Sequence, residues 1–503
     1  MKFISEQIRK LTFSLLVATG CLSATGQSHT HQLFVEEMTP VRLHAIGTEL
    51  DPFFFSRNIP RNDGAKAEDW DEIVVRRVKA MKVQSLRVMV LPQWFEPQND
   101  NDDPNQIEWD KFTFQSSEMQ SLYKVLDLAE QERMKVTIVL WGASPNHFLA
   151  EGSFGGWMIA PTQMEEWCEN FSALMQYLLK KKKYSCIKEV TPMNEPDWSF
   201  VIKGKIAPPA EYIKLCRALD ARFKKDGIRH KVHFNLSDNS DGNSGTHSFL
   251  NACTDSLPDI ADLFNSHTYI FGYDTPNSAI LKWERENVLL AAGCGKEHFV
   301  GEFGGNQCVG ASRQKDIDLY ERGVLMARIV INLLNAGANG VSYWSLIDQY
   351  YENPEYKSMQ QLGLWKYVKQ AYKSEPYYEQ IKCDYEVRPQ YYAYSLFTRF
   401  IRPEAEIHPI TTSDEWYAGT AVKNKNKKWT YAFANANKEI RDICIDNKFK
   451  KGKDKDKYQV YLYEQGKLPK SDEMIAIYKT LSPVDGKIKL TLPANSVVFL
   501  IEK

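Results

Sequence analysis

The sequence predicts an α/β protein in which a (β/α)8 TIM barrel is followed by a C-terminal antiparallel β-sandwich. Up to about residue 401, short β-rich runs alternate with longer segments whose apolar residues recur at helical spacing. Beyond Pro403, strand-like runs follow one another, separated by Gly, Asn, Lys and Pro. Alternating strands and helices are typical of a parallel sheet, and successive short strands are typical of a sandwich.

Eight runs rich in β-branched and aromatic residues are the predicted barrel strands. They lie at 42–47, 85–91, 135–141, 187–194, 231–236, 260–267, 298–302 and 340–344. Helices are predicted between them, for example at 69–81, 117–133, 162–181, 209–226 and 314–335, and a final helix at 389–401. No Gly-x-Gly-x-x-Gly turn opens any of these helices, so a closed barrel is favoured over a nucleotide-binding open sheet.

The predicted sandwich strands lie at 416–422, 428–434, 440–445, 458–463, 487–492 and 496–502. The run 31–37, before the barrel, is a candidate for one further strand of this sandwich. These patterns divide the chain into a barrel domain at 38–402 and a sandwich domain at 403–503.

The first 26 residues have the pattern of an export signal. Basic residues precede the apolar stretch 11–18, which is too short to remain as a membrane-spanning helix. Cys21 follows Ala-Thr-Gly, as in a bacterial lipoprotein, and would then carry a lipid anchor. Cleavage near 24–26 is the alternative. We therefore expect a periplasmic, cell-surface or secreted protein without a membrane span.

Composition excludes several classes of protein. The chain is 43% hydrophobic, which argues against disorder, and its net charge of −1 argues against a nucleic-acid partner. Its nine cysteines include no Cys-x-x-Cys pair, and no His-Glu-x-x-His motif is present. We expect a monomer that uses no cofactor and no metal; disulfides are permitted in an exported protein, but the sequence does not pair them.

Two short segments carry the candidate chemistry: Thr-Pro-Met-Asn-Glu-Pro-Asp at 191–197 and Val-Gly-Glu-Phe-Gly-Gly at 300–305. Their glutamates, Glu195 and Glu302, are 107 residues apart (302 − 195), about three βα units, and so fall at the ends of strands four and seven. Side chains at the carboxyl ends of barrel strands meet at the catalytic face. Two carboxylates there are typical of a retaining glycoside hydrolase, with Glu195 as acid/base and Glu302 as nucleophile.

These segments resemble glycoside hydrolase clan A. Asn-Glu-Pro at 194–196 and Gly-Glu-Phe-Gly at 301–304 carry the resemblance, and the final helix with its following sandwich resembles families thirty, thirty-nine and fifty-one. Family five shares the sequence motif at strand seven and the His-x-Tyr motif of strand six. The resemblance implies retaining hydrolysis of β-linked oligo- or polysaccharides, or of α-L-arabinofuranosides, without a cofactor. The sequences of strands one and three differ from the motifs of these families, so the resemblance does not identify the family or the substrate.

The resemblance also implies roles for further residues. Arg87 would steady the nucleophile and keep it ionised, and Tyr269 would donate a hydrogen bond to it. His267 would complete the strand-six pair, and Trp344 would lie under the sugar in the −1 subsite. From its place beside Glu195, Asn194 is expected to hydrogen-bond the sugar 2-hydroxyl.

Other residues are possible ligands of the sugar. Tryptophans in the predicted loops of the catalytic side, where rings could stack on sugars, are Trp94, Trp141, Trp157 and Trp198. Glu49 and Asp51, after strand one, could bind sugar hydroxyls. The acidic stretch 99–103 lacks the spaced ligands of a calcium loop and is predicted to be a solvated loop.

One rival function belongs to a different class. A catalytically silent barrel could bind glycans at the cell surface, since such a protein would also expose tryptophans. The presence of both glutamates weighs against this alternative, because binding alone does not need a matched acid and nucleophile.

Overall fold

The computed structural model describes residues 30–36, 41–50, 52, 66–143, 147–149, 163–202, 205–305, 316–352, 357–360, 362–366, 385–450 and 455–503. The predicted export signal with Cys21, and the candidates Asp51 and Trp157, lie outside these residues. Within the described part of the chain, no helix is both long and apolar enough to cross a lipid bilayer.

The strands, in chain order, fall into a barrel set, a sandwich set and two small hairpins. They are β1 (His31–Phe34), β2 (Val41–Arg42), β3 (Ala45–Glu49), β4 (Ser85–Val90), β5 (Lys135–Leu140), β6 (Ile187–Thr191), β7 (Val201–Ile202), β8 (Lys205–Ile206), β9 (His233–Asn239), β10 (Leu263–Ile270), β11 (His298–Gly305), β12 (Gly340–Tyr343), β13 (Gln349–Glu352), β14 (Lys357–Gln360), β15 (Glu406–Ile410), β16 (Tyr417–Lys423), β17 (Trp429–Asn435), β18 (Arg441–Asp446), β19 (Tyr458–Tyr463), β20 (Ile477–Leu481), β21 (Ile488–Leu492) and β22 (Ser496–Glu502).

The α-helices alternate with the barrel strands and have apolar inner faces. They are α1 (Arg76–Met81), α2 (Ser117–Gln131), α3 (Met164–Gln176), α4 (Pro196–Ser199), α5 (Pro209–Lys225), α6 (Ser248–Ser256), α7 (Asn277–Gly293), α8 (Glu321–Ala336) and α9 (Pro389–Phe400). π-Helical turns at Trp70–Val75 and Tyr177–Lys181 adjoin α1 and α3, in regions where the sequence predicted uninterrupted helices.

The barrel is closed by eight parallel strands. β3, β4, β5, β6, β9, β10, β11 and β12 follow one another around the barrel, and β12 pairs with β3 to complete it. Strands β4 and β11 are buried along their whole length, as expected where a barrel interior lies on one side and a ring of helices on the other. The predicted (β/α)8 fold is confirmed.

Several predicted bounds were wrong for identifiable reasons. Strand one begins at Ala45 rather than at residue 42, because Val41–Arg42 pairs with β15 in the sandwich. Strand five extends to Asn239, beyond the predicted end at 236. The helix predicted at 314–335 begins only at Glu321; Asp316 has φ 56°, a left-handed conformation that a helix cannot contain.

The sandwich combines a seven-stranded sheet, in the order β2-β15-β16-β17-β22-β19-β20, with a three-stranded sheet, β1-β18-β21. The candidate strand at 31–37 is present as β1 and pairs parallel to β18, while the predicted C-terminal strands pair antiparallel with one another. Apolar side chains from both sheets, such as Leu33 and Leu500, form one core between them. Sequence analysis missed β15, which contains Pro409, and β20, an exposed edge strand.

Helices α8 and α9 lie between the barrel and the sandwich. The ring of Phe397 meets that of Phe499 edge to face at 4.9 Å. The rings of Tyr320 and Tyr463 stack at 4.6 Å, and the Tyr463 hydroxyl donates a hydrogen bond of 2.6 Å to the Tyr320 carbonyl. A single apolar core runs through the barrel, its helices and the facing side of the larger sheet. The sandwich therefore supports the barrel by direct packing.

Gly323 in α8 provides the space for this contact, and its replacement gives a test. A Cβ atom at this position would lie 2.5 Å from Cζ of Tyr463. We expect Gly323→Ala to lower the free energy of unfolding by about 1–3 kcal/mol, because the clash forces α8 away from the sandwich. Gly293→Ala is the matched control: no heavy atom lies within 4 Å of its Cβ, so it should be neutral or slightly stabilising. Chemical denaturation of both variants measures the difference, and equal stabilities would contradict this account of the interface.

Candidate active site

Glu195 and Glu302 meet at the carboxyl ends of the barrel strands. Glu302 lies within β11, and Glu195 lies four residues beyond the end of β6, so the expectation that both close their strands holds only approximately. One carboxylate oxygen of each lies within 4.8 Å of the other, and the same limit includes a ring nitrogen of His267. Residues far apart in the sequence thus bring two carboxylates close to each other at this end of the barrel.

Glu195 is held in an unusual backbone conformation. Its φ and ψ are 45° and 56°, in the left-handed region, and Pro196 then begins the short helix α4. The Glu195 N–H donates to the carbonyl of Asp238 at 3.0 Å, which fixes this turn against β9. Strained backbone of this kind persists only where surrounding contacts hold it, and it is frequent at functional sites.

Arg87, the third residue of β4, is a buried hub for acidic and amide oxygens. Its Nη1 donates to Glu302 Oε1 at 2.6 Å and to Glu49 Oε2 at 3.1 Å. Its Nη2 donates to Asn194 Oδ1 and to Asp238 Oδ2, both at 2.7 Å. The predicted contact between Arg87 and Glu302 is therefore present, and Arg87 also connects Glu302 with the segment that carries Glu195.

His267 lies between carboxylates on both sides. Its Nδ1 is 2.7 Å from Glu195 Oε1 and 3.4 Å from Glu302 Oε2, and its Nε2 is 3.1 Å from Asp238 Oδ1. When Glu195 and Asp238 are both ionised they only accept hydrogen bonds, so both ring nitrogens then donate and the ring is an imidazolium. Burial alone would lower the pKa of His267, but the fields of Glu302 and Asp238 outweigh it and hold that pKa well above its usual range.

Burial and nearby positive charge shift the pKa values of Glu302 and Asp238 in opposite directions. Burial is the largest influence on Glu302 and raises its pKa; His267 and Arg87 oppose the shift, while Glu195 adds to it. The predicted lowering by Arg87 is thus real but smaller than the effect of burial. For Asp238, burial is outweighed by Arg87 and His267, and the pKa lies below its ordinary value. Asp238 is therefore a permanent counter-ion for both cations.

Tyr269 and three of the tryptophans considered in the sequence surround this centre. The Tyr269 hydroxyl donates to Glu302 Oε2 at 2.6 Å, as the resemblance implied. Trp344, 7% exposed, packs in a small apolar cluster against which Trp141 and Tyr269 also pack. Trp198 is 41% exposed, and its Nε1–H donates to Glu195 Oε2 at 2.6 Å. Only Trp198 among these tryptophans presents a large free face.

The structure contradicts the predicted sugar contacts of two residues. Trp94 is 3% exposed and belongs to the core, so it does not line the mouth of the barrel. Glu49 is 1% exposed and ion-paired with Arg87, so its carboxylate is not open to sugar hydroxyls as proposed. Both errors arose because loop position in the sequence does not reveal which side chains turn inward.

Asp238 is the functional residue that sequence analysis missed. It lies near the end of β9, two residues beyond the predicted end of that strand, with φ 50°. The pairing between β9 and β10 shifts register here, and the resulting bulge directs the Asp238 carboxylate to Arg87 and His267. An acidic residue that follows an apolar strand, in Phe-Asn-Leu-Ser-Asp at 234–238, was the available signal.

Distance alone would allow Glu195, His267 and Glu302 to bind a metal. In the structure Nδ1 of His267 contacts Glu195, its Nε2 contacts Asp238, and Arg87 contacts Glu302, so these side chains pair with one another. The arrangement is instead that of two carboxylates held at short range by two internal cations, Arg87 and His267. Such a centre can supply a proton at one carboxyl group and a nucleophilic oxygen at the other.

No protein-family model matches the chain, and no curated protein sequence resembles it. Solved structures nevertheless share its fold. A glycoside hydrolase family 30 subfamily 8 xylanase from Clostridium acetobutylicum has a TM-score of 0.62 at 11% identity, over 94% of this chain and 99% of that one. A conserved exported protein from Bacteroides fragilis has a TM-score of 0.64 at 14% identity, over 94% and 100% of the two chains.

An α-L-arabinofuranosidase from Thermotoga maritima has a TM-score of 0.59 at 12% identity, over 94% of this chain and 99% of that one. These identities establish similarity of fold. They confirm, at that level, the barrel and sandwich expected from the resemblance to clan A.

The charge state of His267 gives a direct test of this geometry. We expect NMR of histidine-labelled protein to show that the pKa of His267 lies above its ordinary value. Asp238→Asn should lower its pKa, since a negative charge 3.1 Å from Nε2 is removed. Asp241→Asn, in the same segment but bonded to Asn239 instead, should leave His267 unchanged. A wild-type His267 that titrates near the ordinary value of about 6.5 would contradict the assignment.

Proposed function

We propose that this chain is an exported retaining glycoside hydrolase in which Glu195 is the acid/base and Glu302 the nucleophile. The observation that carries the proposal is the approach of their carboxylate oxygens to within 4.8 Å across the mouth of the barrel. Retaining enzymes hold their carboxyl groups about 5–5.5 Å apart, whereas inverting enzymes need about 6.5–9.5 Å to admit a water molecule. The short separation supports retention.

The surroundings of the two glutamates support the division of roles. Glu302 has 5% of its side chain exposed and is fixed by two donors, Arg87 and Tyr269, so its oxygen is aimed rather than mobile. Glu195 is more open, with 14% exposed, and lies beside the exposed ring of Trp198. A proton donor must reach the leaving group on the open side of the sugar, and Glu195 has that position.

The proposed reaction proceeds in two displacements. In the first, a Glu302 oxygen bonds to the anomeric carbon while the glycosidic C–O bond breaks and Glu195 transfers its proton to the departing oxygen. In the second, Glu195 removes a proton from water, the water oxygen bonds to the anomeric carbon, and the bond to Glu302 breaks. One glycoside and one water yield two products, and both glutamates return to their starting states.

His267 and Arg87 support these steps without reacting. His267 bonds Glu195 and also lies 3.4 Å from Glu302, so it can balance negative charge as it moves between the two carboxyl groups. Arg87 binds Asn194 Oδ1, which leaves the amide nitrogen of Asn194 as the end that would bind the sugar 2-hydroxyl. Trp344, Trp141 and Trp198 are the proposed aromatic contacts of the sugar.

The proposed substrates are β-linked oligo- or polysaccharides, with α-L-arabinofuranosides as the alternative. Proteins with this fold include a xylanase, an endo-β1,6-glucanase and an α-L-arabinofuranosidase. The leader at 1–26 supports export, as does the similarity to a protein described as exported. Soluble export and lipid attachment at Cys21 both agree with that pattern.

Replacement of each glutamate should separate the two roles. We expect Glu302→Ala to reduce hydrolysis of aryl β-glycosides to the background rate, with azide restoring turnover and yielding a glycosyl azide of inverted configuration. Glu195→Ala should lower kcat/KM about 10²–10⁴-fold on substrates with poor leaving groups, and azide should then give the retained product. Product configuration is measured by NMR.

Glu439→Ala, at an exposed position of the sandwich, is the matched control and should retain full activity. Undiminished activity of Glu302→Ala would overturn the assignment of the nucleophile. A wild-type protein that binds β-glucans or xylans but hydrolyses none of a broad panel would be a silent glycan-binding barrel.

The pH dependence tests the contact between Tyr269 and Glu302. Because burial raises the pKa of Glu302, the acid limb of kcat/KM should lie above the ordinary glutamate value of about 4.3. Tyr269→Phe removes a hydrogen bond to the ionised form and should move that limb upward by about 1–2 pH units. Tyr343→Phe, which removes a buried barrel hydroxyl bonded to the Leu362 carbonyl, should not move it. A limb unchanged in Tyr269→Phe would contradict the proposal.

A further inference from the structure

A second cluster of acidic side chains lies outside the active site, where the loop after β4 meets the first turns of α3. One carboxylate oxygen from each of Asp100, Glu166 and Glu169 lies within 4.8 Å of the other two. Asp100 and Glu169 are 6% and 1% exposed. Glu96 adjoins them, since its Oε1 accepts from the Asp100 N–H at 3.3 Å. The prediction of a solvated loop at 99–103 was therefore wrong for Asp100, which faces inward.

The positive charge near this cluster is much smaller than the negative charge. Arg222 approaches Glu169 at 3.7 Å through Nη2. Its Nε already pairs with Asp226 at 2.5 Å, and its Nη1 donates to the carbonyl of Pro104. Among the residues that the structure describes, one guanidinium, already paired with Asp226, thus faces four carboxyl groups.

Buried oxygens without hydrogen-bond donors give a second and independent indication. Among the described residues, no hydrogen-bond donor reaches either carboxylate oxygen of Glu169, and none reaches Oδ1 of Asn170, which is fully buried. The Asn170 Nδ2 donates to Glu96 Oε2 at 2.7 Å, so this amide lies against the cluster. Buried polar atoms almost always have a partner. A group of oxygens that lack donors points to a cation as the missing partner.

We propose that Asp100, Glu166 and Glu169 bind a divalent cation of the calcium type. Ca²⁺ lies about 2.3–2.6 Å from its oxygen ligands, so two ligands of one ion are at most about 5 Å apart, which the limit of 4.8 Å satisfies. Mg²⁺, at about 2.0–2.1 Å, requires a tighter set. The all-oxygen donors disfavour softer metals. Asp100 is already oriented, since the N–H groups of Asn101 and Glu108 donate to it at 2.8 and 2.6 Å.

The position of this site gives the cation a structural role beside the catalytic face. Asp100 belongs to the loop between β4 and α2, whereas Glu166 and Glu169 begin α3 after β5. His147, in the loop after β5, contacts the Glu96 carbonyl through Nε2 at 2.7 Å. A bound ion therefore joins two neighbouring loops at the end of the barrel where Glu195 and Glu302 lie.

Binding is measured on the full chain after treatment with EDTA, with CaCl₂ as the probe. We expect calorimetry to show one site of submillimolar to millimolar affinity, the range of extracellular calcium modules. The melting temperature should rise with added Ca²⁺ and reach a plateau, and Mg²⁺ should have a smaller effect.

Substitutions of the proposed ligands test where the ion binds. Asp100→Asn and Glu169→Gln should each weaken Ca²⁺ binding at least tenfold and abolish the thermal response. The melting temperature of Glu169→Gln in EDTA should not fall, since an amide there removes repulsion without changing shape. Asp100→Asn also loses one of its two backbone hydrogen bonds, so its binding of Ca²⁺ is compared and its melting temperature in EDTA is not. Asp103→Asn, an exposed position of the same loop, is the matched control and should bind as the wild type does.

Glu302→Gln should also bind Ca²⁺ normally, which separates this site from the proposed catalytic pair and makes the two proposals fail independently. The absence of any calorimetric or thermal response to Ca²⁺ at about 10 mM would overturn the proposal and indicate carboxyl groups that share protons instead. Undiminished binding in Asp100→Asn and Glu169→Gln, or a response to Mg²⁺ alone, would overturn it too.

Discussion

Two buried cations, Arg87 and His267, hold the carboxylates of the barrel mouth together. Four acidic side chains converge there, and without compensation their burial and mutual repulsion would force them apart or protonate them. Arg87 contacts Glu49, Asp238 and Glu302, and His267 contacts Glu195 and Asp238. The separation of Glu195 and Glu302 follows from these bonds as much as from the strands that carry them.

Asp238 supports this arrangement, although it is not one of the two proposed reacting carboxylates. It contacts both cations, and its backbone carbonyl accepts the N–H of Glu195. The bulge in β9 that presents it, and the left-handed turn at Glu195, are both locally unfavourable and support each other through that one hydrogen bond. This local strain lies where side chains are directed to the candidate active site.

The same electrostatic rule distinguishes the two acidic clusters of the chain. In the candidate active site the balancing charges are internal side chains, so the carboxylates stay close to one another. Around Asp100 and Glu169, within the described part of the chain, the guanidinium in contact is shared with Asp226 and buried oxygens lack donors. An external cation is the natural partner for that second cluster, and it would stabilise loops that surround the first.

Sequence alone determined the succession of barrel and sandwich, because apolar periodicity reports which face of each element is buried. It also determined that Glu195 and Glu302 lie on one face, since strand order in a parallel barrel follows chain order. It could not determine the inward turn of Glu49, the bulge that aims Asp238 or the burial of Asp100. Those depend on charges contributed by other strands and helices, and pairings between elements distant in the chain leave no periodic trace in any one of them. Only the tertiary structure brings these charges together. It alone therefore decides which carboxylates have a counter-ion of their own, which share one and which have none.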